Sequence, residues 1–473
     1  MLDSQCRGPG GNGCNRTGRH AVIVAKFGGS SVADAAAIRR TGEIVRGRLG
    51  RAPVIVVSAL AGATNALLSA AELAASGQLV AALEHVSQLR DRHLATISEL
   101  LGSGPESHAL RAETSLMFDE LAHLAEALSV LGFATPRSMD AVASMGERLS
   151  APICAAAFSQ MGIPSVAVDS RQVMITNDDF GRASPLSAQI AAASHAQLLP
   201  IIADGKVPVV GGFVGATTSG ITTTLGRGGS DYSAALFGAA LNADAIEIWT
   251  DVDGMLTADP RVVPGAQLIE HLRFDEAAEL ASFGAKVLHP STIAPAVERD
   301  IPVYVFNSMR PEAVGTRITF EAPPCTVRAI AGKRGVVVVR VGSPKMLGTP
   351  GALRSIFEVF DRYRISVDVV ATSEVSVSLT VDDDPSLLKA VEDLRGFGDL
   401  AIERDRGIVA LVGAGLGGSS PSMARALRAI GDERLHMVSL SSTGINLTLI
   451  VDDAQVHPVM RLLHHEFFGG ALA

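Results

Sequence analysis

A chain of 473 residues, 47% hydrophobic and 19% charged, carries enough apolar mass for a large buried core and too much for a disordered protein. Its formal net charge of −9 argues against nucleic acid as the main partner, because a phosphate backbone selects basic surfaces; small anionic substrates remain admissible, since one basic pocket fits inside an acidic protein. There is no apolar run long enough to span a membrane, and Cys6, Cys14, Cys154 and Cys325 have the spacing of neither a disulfide framework nor a zinc site, so a reducing cytoplasmic compartment is expected.

Residues 1–20 are rich in Gly, Asn and Arg, lack the apolar core of a signal peptide, and read as a flexible extension. A β-rich run at 22–27 ends in Gly28-Gly29-Ser30-Ser31, and 34–48 turns helical. The continuous apolar run at 53–60 is of the kind buried in parallel sheets. Residues 65–131 are helical in composition with a Gly-Ser-Gly-Pro break at 102–105, and a further helix is expected over 139–158. Short strands are expected at 165–168, 207–210 and 246–250, then a Pro-punctuated loop around 259–261, a helix at 274–283 and a strand at 301–306. This alternation indicates an α/β domain with a mainly parallel sheet, whose active site belongs at the carboxyl ends of the strands.

The rhythm changes after Glu321-Ala-Pro-Pro324. Strand, helix, strand, strand, helix follow at 335–341, 351–363, 366–370, 375–381 and 384–395, and the pattern recurs at 407–412, 422–429, 436–440, 446–451 and 456–467. It suggests a pair of ferredoxin-like α+β modules. The domain reading is therefore an extension (1–20), a catalytic domain (21–320), a linker (321–333), a first module (334–399) and a second (400–473).

The stretch 222–235, TTTLGRGGSDYSAA, leads a hydroxyl run through a glycine-framed turn into an Ala-rich helix. Such a turn aims backbone N–H groups and a helix N-terminus at one spot, an anion site to which Arg227 adds a planar fork. A strand-to-helix turn with glycines at positive φ and a Ser or Asp cap fits these residues alone as well. Lys26 closes the first strand before a double glycine, where an ammonium and loop amides meet a phosphoryl group, or where a surface lysine simply ends a strand. The Walker A pattern is missing from the sequence. Gly413-Ala-Gly415-Leu-Gly417-Gly418 satisfies GxGxxG, but too little chain follows for a dinucleotide-binding sheet, so it reads as a turn.

Lys26-Phe-Gly-Gly-Ser-Ser-Val32, Ser144-Met-Gly-Glu147, the 222–235 stretch, Trp249-Thr-Asp251, Thr257-Ala-Asp-Pro-Arg261 and Phe283-Gly-Ala-Lys-Val-Leu-His-Pro290, in this order, resemble the aspartate kinases, specifically the monofunctional, lysine-inhibited class without a homoserine dehydrogenase domain. The resemblance implies an amino-acid-kinase fold followed by two ACT modules, and phosphorylation of L-aspartate by MgATP to 4-phospho-L-aspartate, the step that opens lysine, threonine and methionine biosynthesis. It implies Lys26 and Asp231 as catalytic residues, and Thr64, Glu147, Arg227 and Ser230 as substrate contacts. ATP contacts would be Lys26, Gly28, Gly29, Ser30, Thr250, Asp251, Arg261 and Lys286, with Mg²⁺ held through phosphates and water and not by a protein ligand set. Leu256 stands where related enzymes carry a tyrosine beside the adenine, and Ser30 where they usually show threonine. Ile365-Ser-Val-Asp368 through Thr380 is similar to the effector-binding module, implying L-lysine as inhibitor, a pocket of Met346, Leu353, Asp368, Ser373, Glu374 and Val375, and a homodimer or homotetramer joined through ACT modules. A kinase of the same superfamily acting on another substrate is disfavoured by Arg227 with Glu147, and a non-catalytic amino-acid sensor by the intact Lys26, Glu147, Arg227 and Asp231.

Overall fold

The apolar runs near the N-terminus leave no polar face, and Ile23–Phe27, Pro53–Val57 and Val207–Gly211 are strands buried at every residue, as a sheet covered by helices on both sides requires. The structure, a computed structural model, describes residues 22–226, 228–283, 290–343, 351–417 and 420–469; the extension read at 1–20 lies outside them. Two compact units emerge: residues up to Gly254 with Ser291–Thr319, and the stretch from Met255 to Pro290 with everything from Phe320 on.

In the first unit the strand order is Ser165–Val168, Val207–Gly211, Pro53–Val57, Ile23–Phe27, Ala245–Thr250, Val303–Asn307, Thr316–Thr319, parallel except at the last pair. A small sheet of Ile175–Thr176, Val214–Thr217 and Thr222–Thr224 stands beside it. The helical region comprises Ala63–Ala75, Leu79–Leu101 and Pro105–Leu131, so it has a second break at Gly77, which adopts φ +81° without a proline to announce it. These helices share a core of Leu67, Leu89, Phe118 and Leu121. The helix Pro136–Gln160 starts at a Thr135 capping box with Pro136 at its first position. The helix Ser187–Ala203, absent from the sequence reading, has too weak an apolar stripe to stand out amid its alanines.

The second unit holds a six-stranded sheet ordered Val367–Thr372, Ser376–Asp382, Ala329–Gly342, Asp399–Val412, Asn446–Asp452, Met437–Leu440, antiparallel throughout. Beneath it lie two cores: Val337, Val339, Phe360, Leu379 and Leu394 in one, and Ile330, Leu411, Leu449, Val459 and Leu463 in the other. These are the two ferredoxin-like modules, and two long strands serve both. Residues 329–333 register against 408–412 over the second core, and, past a shift between Lys333 and Val336, residues 336–342 register against 399–406 over the first. The sequence pattern shows one half of each strand, because Gly332 in one missing half and the charges of 399–406 in the other dilute the apolar signal.

One buried charge anchors the main sheet. Glu247, 1% exposed, receives Arg48 Nε at 3.2 Å, Arg51 Nη1 at 3.2 Å and Trp249 Nε1 at 3.1 Å, while the Arg48 guanidinium lies 5.1 Å over the Trp249 ring. Glu247→Ala strands an indole N–H and removes the carboxylate between two guanidinium groups, and is expected to cost about 3 kcal/mol. A urea titration reads this as a lowered midpoint at unchanged slope.

Candidate active site

Lys26 is the penultimate residue of the central strand, which ends where the chain turns sharply. The Gly28 N–H donates to Trp249 O at 3.1 Å, the Ser31 N–H donates to Gly28 O at 2.9 Å, and the turn Gly29–Val32 follows. A Cβ on Gly29 would lie 3.2 Å from the Ala59 carbonyl, so glycine is needed where two strand-end loops meet. Lys26 Nζ lies 2.6 Å from Asp231 Oδ1, both side chains almost buried (11% and 15% exposed). Asp231 sits in the first turn of the helix Gly229–Leu241, where the helix dipole favours a carboxylate. That helix starts only because Gly228 adopts φ +74°, and it packs so closely that a Cβ on Gly212 would lie 2.7 Å from the Ser230 Cβ. Phe213 takes a left-handed φ of 66°, held by its N–H donating to Ser233 Oγ at 2.9 Å and by Leu225 N–H donating to its carbonyl at 2.9 Å.

Glu147 reaches the same place from the helix Pro136–Gln160. It is 4% exposed, and its Oε2 is buried without a hydrogen-bond partner among the described residues. Burial pushes its pKa up to about 8, opposed by hydrogen bonding from the Ala59 backbone and by the Lys26 charge. A cavity of about 660 Å³ gathers Lys26, Gly29, Thr64, Glu147, Ser230 and Asp231.

Gly28 and Ser30 lie in the turn beside this cavity and do not line it. Thr250 ends its strand and donates from Oγ1 to the exposed Asp251 at 3.2 Å. Arg261, in the second unit, is exposed and paired with Asp259 at 2.6 Å, which holds the Asp259 carboxyl below its ordinary range. Leu256, where an aromatic residue was expected from the family pattern, is half-buried and bridges to Leu268. Arg227, Lys286 and Met346 lie outside the described residues. In the first module Leu353, Ser373, Glu374 and Val375 are exposed, the last three in the turn between Val367–Thr372 and Ser376–Asp382. Asp368 is engaged: Lys333 Nζ lies 2.8 Å from it and 2.7 Å from Asp382. Burial raises the Asp368 pKa more than Lys333 lowers it. Sequence reasoning missed Lys333, which meets Asp368 only through the fold, and missed Asp140, a buried carboxylate lining the cavity.

An ammonium held by a carboxylate, glycine-framed loops and a second carboxyl group with one free oxygen among the described residues suit an anionic donor and a cationic group of an acceptor. Residues 21–307 match the amino acid kinase family, the class that the parallel sheet and this cavity define. Lysine-sensitive aspartokinase 3 of Escherichia coli (strain K12) is 36% identical, with 94% of this chain and 99% of that protein covered. The structure of E. coli aspartokinase III in complex with aspartate and ADP (R-state) matches with a TM-score of 0.84 at 35% identity, over 94% of this chain and 100% of that one. The same enzyme in complex with lysine and aspartate (T-state) gives 0.78 at 35% identity, over 95% and 100%. The chain belongs to the aspartokinases, with an amino-acid-kinase domain followed by two ACT modules.

The raised Glu147 pKa fixes a pH signature of stability. The folded state holds a proton that the unfolded state has released, so this stabilisation is full below pH 4.5, the ordinary carboxyl value, and lost as pH rises through about 8. Thermal melts from pH 5 to pH 9 are expected to show Glu147→Gln lacking this decline, gaining on the parent protein as pH rises.

Proposed function

We propose that the protein transfers the γ-phosphoryl group of ATP to the side-chain carboxylate of L-aspartate, releasing ADP and 4-phospho-L-aspartate at the head of lysine, threonine and methionine biosynthesis, and that L-lysine inhibits it through the ACT modules. The observation carrying this reading is the Lys26–Asp231 pair, 2.6 Å apart, in one cavity with a buried carboxyl group, Glu147, one of whose oxygens has no hydrogen-bond partner among the described residues.

A carboxylate oxygen attacks the γ-phosphorus as the bond to the β-phosphate oxygen breaks. The nucleophile is already ionised, so no general base is required, and catalysis is placement and charge compensation. Lys26 offsets the charge of the transferring group, Asp231 holds Lys26 in position, and the turn carrying Gly28, Gly29 and Ser30 supplies amides and a hydroxyl to phosphate oxygens. Glu147, ionised on binding, receives the substrate ammonium; Arg227 takes a substrate carboxylate, with Thr64 and Ser230 beside it. Thr250, Asp251, Arg261 and Lys286 bind the nucleotide. Mg²⁺ would arrive with ATP and neutralise phosphate charge, and Asp231, lining the cavity, would hold it through water.

For lysine as effector, Asp368 offers a carboxylate to an ammonium and already holds one, that of Lys333. The edge strands Val367–Thr372 and Met437–Leu440 expose Val370, Val438 and Leu440, which supports a homodimer or homotetramer formed through the modules.

In a hydroxamate assay Lys26→Ala is expected to lower kcat at least about 100-fold while the aspartate KM moves less than about threefold, the pattern of a cation acting in the transition state. A loss below tenfold removes Lys26 from that role. With lysine and threonine titrated separately, Asp368→Ala is expected to raise the half-inhibitory lysine concentration about tenfold or more, the loss of one charged contact; unchanged inhibition places the effector elsewhere.

A further inference from the structure

Asp140 is 2% exposed and lies seven residues before Glu147 on the same helix, hence on the same face. Its Oδ1 accepts the Thr224 hydroxyl at 2.6 Å. Its Oδ2 accepts two backbone N–H groups, Thr224 at 3.1 Å and Gly181 at 2.9 Å. Thr224 is the last residue of its strand, and its carbonyl accepts the Ala183 N–H at 2.9 Å. Five residues further on, at Gly229, begins the helix bearing Ser230 and Asp231. One carboxylate thus ties the helix carrying Glu147 to the strand end that precedes Ser230, a residue lining the same cavity.

We infer that Asp140 is a positioning residue that sets the spacing between Glu147 and the helix start carrying Ser230 across the cavity, and so gauges the length of the amino dicarboxylate. This rests on the aspartate reading above. Asp140 acts through other residues, its oxygens being taken by protein donors. The Lys26 backbone and the Gly28–Ser30 turn are placed by a different set of contacts, the central sheet and the Gly28–Trp249 bond, so the turn assigned to the phosphates stays in place when Asp140 is changed. Only the Asp231 partner of Lys26 lies on the tethered helix. Asparagine fits the same niche: its carbonyl oxygen faces the two N–H groups, and its amide donates to the Thr224 hydroxyl, which accepts. Alanine leaves two buried N–H groups unpaired.

The test is a kinetic comparison of the full chain with Asp140→Ala, Asp140→Asn and Thr224→Val, varying aspartate, glutamate and ATP. Asp140→Ala is expected to raise the aspartate KM about tenfold or more, to narrow the preference for aspartate over glutamate, and to leave the ATP KM within about twofold. Asp140→Asn returns the aspartate KM to within about threefold of the parent, and Thr224→Val, losing one bond of three, shifts it in the same direction by a smaller factor. If Asp140→Ala fails to fold, Thr224→Val carries the same test. Parallel rises in both KM values, or an aspartate KM within twofold of the parent in Asp140→Ala, would overturn the inference. Turnover by the parent is read first in the same assay: a parent that does not phosphorylate aspartate removes the aspartate reading, whatever the variants do.

Discussion

The Lys26–Asp231 ion pair is the constraint to which the rest of the first unit conforms. Two almost buried charges cost more in lost hydration than a neutral pair of the same shape, so the pair is poor value for stability alone. It persists because three unrelated pieces of backbone converge on it. The innermost strand delivers Lys26, a glycine turn with two positive φ angles starts the helix that delivers Asp231, and Gly212 lets that helix approach without a side chain between. Each piece would be simpler to build without the others.

The cavity beside the pair is unfinished in a chemically specific way. Glu147 has a buried oxygen with no hydrogen-bond partner among the described residues, and burial pushes its pKa up to about 8. A positive charge beside that oxygen would favour the ionised carboxylate, so on the reading proposed above the cost of burying this group is offset by the ammonium it receives.

The α/β order and the strand ends were legible in the sequence because each rests on local signals: apolar runs, glycine pairs, a capped turn. Lys26 and the glycine turn before Ser230 and Asp231 carry such signals, whereas Thr64 and Glu147 were named through the family resemblance; all five line one cavity. What escaped depends on partners distant in the chain. Asp140 looks like an ordinary helix-start acid until Gly181 and Thr224 are folded against it. Asp368 read as an open carboxylate because nothing local shows Lys333, 35 residues earlier in the chain, lying on it. The break at Gly77 was missed and that at 102–105 was seen for the same reason, the absence of proline in one and its presence in the other.

The halves exchanged between the two small modules bear on how a signal in one reaches the other. Lys333 ends the stretch registered over the second core and holds Asp368, which faces the first. On that same strand the Ile330 N–H donates to Thr257 O at 2.8 Å, and the Thr257 hydroxyl meets His464 Nε2 of the C-terminal helix at 2.9 Å. Thr257 begins the Thr-Ala-Asp-Pro-Arg261 loop, so the pair that Lys333 makes with Asp368 and the bond that Ile330 makes to this loop lie three residues apart on one strand. Strands passing through both cores join the two modules in one continuous sheet, with no linker between the halves.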